Sequence, residues 1–148
     1  MMTDRMKRLA AEAVGGCIAT RLRLATRVVT KVYDDALRPF GLTVSQMALL
    51  AVAADRGALR QAEVCTQLQF DDSTLSRNLE RMRENGWLEA AAEADARVHT
   101  HRLTESGKVL LERVMPAWRG AQRRANELLG ESGVDALHRF AKENGFGG

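Results

Sequence analysis

Ile18, Leu22, Ala25, Val29, Val32 and Ala36 recur at alternating steps of four and three, the seam of a helix that packs lengthwise on another. The ring of Pro39 disfavours helical backbone at Arg38, so this first helix is expected to end there, with Phe40-Gly41-Leu42 as a connector. A second helix is predicted from a Thr43 or Ser45 cap, with Met47, Leu50, Ala51 and Ala54 as its buried stripe and Asp55-Arg56-Gly57 as its stop. The seam spacing returns near the other end, where Leu111, Val114, Trp118, Ala121, Ala125 and Leu128 share one face after a Thr104 cap. A small chain has little use for two such seams, so the terminal helices are expected to wrap a second copy of the chain. Packing of the two seams on each other is the alternative. Pro116 removes one amide donor inside the later helix and is expected to bend it.

Between the seams, Leu59 to Leu103 reads as two short helices followed by strand, turn and strand, which is the winged helix-turn-helix order. Val64, Cys65 and Leu68 are expected to face the core from the first short helix, and Gln69-Phe70-Asp71 to turn into the second, with Asp71 as its N-cap. Leu75, Leu79 and Met82 put one face of that second helix inward, so the opposite face presents Ser73, Ser76, Arg77 and Glu80, flanked by Thr74 and Arg81. Small hydroxyl residues followed by arginine suit a DNA major groove: the short side chains let the backbone approach, and Arg77 can pair bidentately with guanine. After Gly86, Trp87-Leu88-Glu89 and Val98 to Leu103 read as a hairpin whose polar tip is Ala94-Asp95-Ala96-Arg97. An arginine at such a tip can enter a narrow minor groove, and Asp95 can hold the Arg97 guanidinium in position.

Composition narrows the function classes. The 148 residues fit one domain, 45% of them are hydrophobic, and only 5% are aromatic, in keeping with a mostly helical chain. The fold class expected is mostly α with a small β-wing, in three parts: an N-terminal dimerisation helix (1–41), a winged helix-turn-helix lobe (42–104), and C-terminal dimerisation helices (105–148). A net charge of +3 permits nucleic acid without requiring it. The longest apolar run, Met47 to Ala54, is too short to cross a bilayer, so a cytoplasmic protein with no membrane partner is expected. Cys17 and Cys65 are far apart and have no Cys or His at metal-ligand spacing, which argues against a zinc site or a disulfide scaffold. His99 and His101 alternate on one strand without a third ligand and read as wing residues. No phosphate loop, carboxylate pair or Cys-His arrangement suggests an enzyme or a cofactor.

Four stretches resemble the MarR (multiple antibiotic resistance regulator) transcription factors. These are Leu42-Thr43-Val44-Ser45-Gln46, Ser73-Thr74-Leu75-Ser76-Arg77 running on to Glu84-Asn85-Gly86-Trp87-Leu88, Asp95-Ala96-Arg97, and Leu103-Thr104-Glu105-Ser106-Gly107. Their order and spacing agree across Cys17 to Leu129. The resemblance implies an obligate dimer gripping a pseudo-palindromic operator, most often as a repressor. It assigns major-groove or phosphate contacts to Ser73, Thr74, Ser76 and Arg77, and the wing-tip minor-groove contact to Arg97 supported by Asp95.

The chain departs from the family pattern at Ala96-Arg97, where two adjacent arginines are common, and at Asp72, where a neutral or basic residue is common. Both departures remove favourable charge, so weaker non-specific DNA binding and a shallower salt dependence are expected. The family also implies an effector. A small aromatic or amphipathic ligand would lie between the dimer helices and the DNA-binding lobe, where Met47, Met115 and Trp118 are candidates. One branch senses peroxides through an N-terminal cysteine; that position falls on Ala19 here, and Cys17 lies two residues earlier, about 200° around the helix. Thiol sensing through Cys17 is therefore one alternative, and a winged-helix adaptor that binds protein, favoured by Asp72, Glu80 and Glu84, is the other.

Overall fold

The computed structural model describes residues 3–92 and 97–145. In chain order these form α1 (Asp4–Gly16), α2 (Ile18–Leu37), a 3-10 turn (Arg38–Phe40), α3 (Val44–Arg56), β1 (Leu59–Arg60), α4 (Gln61–Leu68), α5 (Asp72–Glu84), β2 (Leu88–Ala90), β3 (Thr100–Leu103) and α6 (Glu105–Glu143). The architecture is the expected one, mostly helical with a small antiparallel wing. No single helix among the described residues is long and apolar enough to cross a membrane.

The winged lobe closes around one core. Leu49 and Leu50 of α3, Leu59 of β1, Val64 of α4, and Leu75, Leu79 and Met82 of α5 are almost wholly removed from water. Each such leucine buried contributes about 1.5–3 kcal/mol before entropy is charged against it. The predicted stripe of α3 is corrected here: Leu49 and Ala53 join Met47 and Leu50 inside, whereas Ala51 and Ala54 stay at the surface. Thr43 begins α3 with a reciprocal box, its hydroxyl accepting from the Gln46 amide (3.2 Å) while the Gln46 side chain accepts from the Thr43 amide (3.1 Å). Asp34 of α2 accepts from the Val44 amide (2.8 Å) and ties the two helices together.

The sheet has three strands, in the order β1-β3-β2. Sequence reading misses β1, because two residues carry no alternation; Leu59 pairs with His101 and Arg60 with Thr100. The second wing strand begins at Thr100, two residues later than expected, and Glu89 and Arg102 face each other across the hairpin as an ion pair (3.7 Å). Among the described residues, the Thr100 hydroxyl and His101 Nδ1 are buried and find no hydrogen-bond partner. Burial, followed by the nearby Arg83 and His99, pushes the His101 pKa below its ordinary value.

The terminal segments differ from expectation in three ways. The described part of 1–41 is not one helix, because α1 ends at Gly15-Gly16 and Cys17 (ψ 106°) interrupts the run before α2. Pro116 leaves α6 helical, and the break falls instead at Gly130 (φ 69°, ψ 164°), a backbone conformation that is essentially glycine-only. Part of the two seams packs within the chain: the Tyr33 hydroxyl of α2 donates to Gln122 of α6, and the Tyr33 and Trp118 rings lie 6.4 Å apart. The outer seam residues Ile18, Leu22 and Leu128 remain exposed.

Candidate nucleic-acid interface and effector groove

Asp71 caps α5 and organises its first turn. Its carboxylate accepts from the Thr74 amide (3.1 Å), the Ser73 hydroxyl and the Thr74 hydroxyl (3.3 Å). Those bonds, the Ser73 hydroxyl first, hold the Asp71 carboxyl below its ordinary pKa. Arg77 reaches back one turn to the Thr74 hydroxyl (3.4 Å), so the arginine, the threonine and the capping aspartate form one chain of contacts. Ser73, Ser76, Arg77 and Arg81 all lie on the exposed face, opposite buried Leu75, Leu79 and Met82.

Two further contacts position this helix, and sequence reading did not single them out. Gln61, the first residue of α4, donates to the Ser76 hydroxyl (2.8 Å) and so fixes a side chain in the middle of the exposed face. The Cys65 thiol donates to Asp72 (2.9 Å), which, together with burial, pushes the thiol pKa up to about 11. Cys65 is therefore a half-buried hydrogen-bond donor and not simply a small core residue, and Leu68, expected inside, is 38% exposed. The signal available in the sequence was the spacing of Cys65 and Asp72 across a tight turn, which Gln69 makes with a left-handed backbone (φ 52°).

Arg97, three residues before β3, lines a shallow hollow of about 300 Å³ together with Arg60, Gln61, Asp72 and His99. The structure thus brings the wing arginine alongside the start of α4 and the start of α5. Asp95, with Ala94 and Ala96, lies outside the described residues.

The three candidate effector residues converge. Met47 of α3 and Met115 and Trp118 of α6 line one groove of about 690 Å³, with Val44, Ala51, Ala54 and Leu111 completing its apolar wall. That volume suits a drug-sized ligand. Met47 is itself almost wholly buried, so Met115 and Trp118 supply more of the open surface. Ala51 and Ala54, misread as core, are the small residues that leave the groove its room.

Cys17 sits at the start of α2 with its thiol partly exposed. The Thr20 hydroxyl, then the Thr20 amide, hold that thiol below its ordinary pKa, the opposite of the shift at Cys65. Among the described residues, no three His, Cys, Asp or Glu side chains are placed to hold a metal ion.

Comparison with known proteins places this geometry. The winged helix DNA-binding domain family matches residues 42–107. An uncharacterised HTH-type transcriptional regulator of Bacillus subtilis, YwoH, is 28% identical over 94 residues, 64% of this chain and 69% of its own length. The M. tuberculosis transcriptional regulator MosR, solved in complex with DNA, is 33% identical with a TM-score of 0.70, covering 86% of this chain and 97% of MosR. AbsC of Streptomyces coelicolor, a MarR family regulator, is 24% identical with a TM-score of 0.70, covering 98% of this chain and 95% of AbsC.

Proposed function

Since the chain belongs to the MarR family of winged-helix transcriptional regulators, we propose that it binds a pseudo-palindromic operator as a homodimer and represses transcription in the cytoplasm until a small ligand releases it. The observation that carries this reading is the exposed face of α5, where Ser73, Thr74, Ser76 and Arg77 are held in register by Asp71 and Gln61. A helix fixed in this way enters a major groove with little ordering left to do. Arg77 reads a guanine edge, the hydroxyl residues meet bases or phosphates, and Arg81 at the far end meets the backbone. Arg97 enters the adjacent minor groove, with Asp95 as its support.

In this reading residues 42–104 form the DNA-binding lobe, while 1–41 and 105–148 form the dimer. Exposed Met6, Leu9 and Val14 on α1, Ile18, Leu22 and Leu24 on α2, and Leu137 and Phe140 on α6 supply the apolar surface that a second copy covers. A dimer lying across a promoter blocks polymerase without touching it. The groove between α3 and α6 lies between the lobe and the dimer helices, so a ligand there changes the spacing of the two recognition helices.

The test is fluorescence anisotropy of the purified protein on the DNA upstream of its own gene, against a scrambled duplex, at two salt concentrations. Selective binding that weakens with salt is expected. Arg77→Ala is expected to lose ~1–3 kcal/mol of operator affinity and relax sequence preference, whereas Arg81→Ala weakens all duplexes alike and lowers the salt slope by about one. Unchanged affinity in Arg77→Ala overturns the reading of α5, and binding to protein alone with no DNA favours an adaptor.

Cys17 supports a second reading, thiol sensing, because its placement at the start of a helix and its lowered pKa both favour thiolate. Peroxide would then release the operator from the native chain and leave Cys17→Ser bound. Equal release of both excludes this mode.

A further inference from the structure

The groove between α3 and α6 is apolar along its walls, and its charged lining groups among the described residues are acidic. Asp55 stands at the end of α3 and Glu112 on α6, and no lysine, arginine or histidine lines it among the described residues. Neither carboxylate makes an ion pair among the described residues. Cations stand in the adjoining hollows. Lys108 and Arg102 line one that shares Glu112 with the groove, but Lys108 is held by Glu105 at 3.1 Å and Arg102 by Glu89 at 3.7 Å, and Arg56 lines another that shares Asp55.

This distribution selects among ligands by charge. An aromatic carboxylate placed here would give up hydration and meet two like charges, with no cation on the groove wall itself among the described residues. A neutral ring would bury apolar surface and leave both carboxylates as they are. A cation on an apolar body gains on both counts, with its body against Leu111, Met115 and Trp118 and its charge toward Asp55 and Glu112. We propose that the effector of this protein is an amphipathic monocation, an aromatic or aliphatic amine or quaternary ammonium, and not an aromatic acid. The proposal rests on the reading of this groove as the effector site.

Three probes with one apolar body and different charge test it: naphthylmethylamine, naphthylmethanol and naphthoate, titrated calorimetrically into the full chain. The amine is expected to bind about tenfold more tightly than naphthoate, the gain that two partly exposed charge contacts together give, with the alcohol between them. The double variant Asp55→Asn, Glu112→Gln is expected to bring the amine down to the alcohol's affinity and leave the alcohol unchanged, which also shows that the groove still folds. Operator affinity, measured in the same samples, should fall when the amine is added. Naphthoate binding as tightly as the amine, absence of amine binding, or discrimination that survives in the double variant overturns the proposal. Intact operator binding beside a failed amine titration refutes the ligand class alone, whereas loss of selective operator binding by the unliganded protein refutes the DNA-binding reading.

Discussion

Between Leu42 and Leu103 most large apolar side chains are used in one core, with Leu49, Leu50, Leu59 and Leu75 wholly out of water. At the two ends of the same chain, Met6, Val14, Ile18, Leu22, Leu137 and Phe140 lie open to solvent. Both regions show clean helical periodicity in sequence, yet the lobe is covered within the chain and the terminal seams only in part, at residues such as Val114, Ala121 and Ala125. Periodicity tells which face of a helix is apolar; what lies against that face depends on the neighbours available, and the outer parts of the terminal helices have few of them among the described residues. The winged lobe should therefore answer to perturbation as a self-contained unit, and the ends should answer as parts of an assembly.

The strongest way to break this contrast is a matched pair of truncations. Leu50→Ala is expected to lower the unfolding free energy by ~2–5 kcal/mol, a cost that combines lost burial with a residual cavity and does not depend on protein concentration. Leu22→Ala is expected to act mainly through assembly, so that its effect in denaturant melts grows as the protein is diluted. Concentration-independent loss in both variants would mean that α2 is completed within one chain.

A smaller effect separates the two regions at their helix caps. Thr43→Ala removes the reciprocal box at the head of α3 and is expected to cost ~0.5–2 kcal/mol by chemical denaturation. Thr3 caps α1 in a similar way at 3.4 Å, but α1 has no buried residue. Thr3→Ala should leave the melt of the lobe where it is and change only the helical signal of the N-terminus.

The smallest expected effect is a pH dependence confined to the wing. His101 has a folded pKa below its ordinary 6.5, so the unfolded chain takes up the proton first. Its contribution is complete above that value and is lost as the pH falls through 6.5 toward the folded pKa. Thermal melts between about pH 8 and pH 5 should show this slope in the native chain and a shallower one in His101→Leu. Asp35 and Asp71, both held low, lose their contributions only in more acidic solution, which keeps the two effects apart. Equal slopes in both chains would remove His101 from the account.

The lobe was legible because its signals are local. Asp71 as a cap, Leu75, Leu79 and Met82 as an inward face, and Thr104 as the start of the last helix each need only three or four residues of context. What escaped depended on partners distant in sequence. β1 is two residues long and exists because Leu59 and Arg60 meet His101 and Thr100, some forty positions on. Ala51 and Ala54 fit a core stripe by spacing, but α6 approaches α3 in a way that leaves them lining a groove. Pro116 is the residue expected to bend the last helix, yet its backbone stays helical, whereas Gly130 adopts a conformation that interrupts the helix. The candidate DNA contacts were readable as a polar face, and the contact chain from Asp71 to Arg77 was not, because rotamers settle it.

The start of α6 rests on a close approach. A β-carbon at Gly107 would overlap the Trp87 carbonyl oxygen, and Thr104 donates its amide to that same oxygen and its hydroxyl to Gly86. Gly86 and Trp87 are the residues that leave α5, so the base of the long helix and the tail of the recognition helix are clamped backbone to backbone. Such a joint has no slack in which to absorb strain. On the proposed reading, a push on α6 at Met115, two turns further along, would reach α5 as motion of a lever more than as local softening. On that reading, occupancy of the groove would then be reported as a change of distance, which the two halves of an operator measure in base pairs.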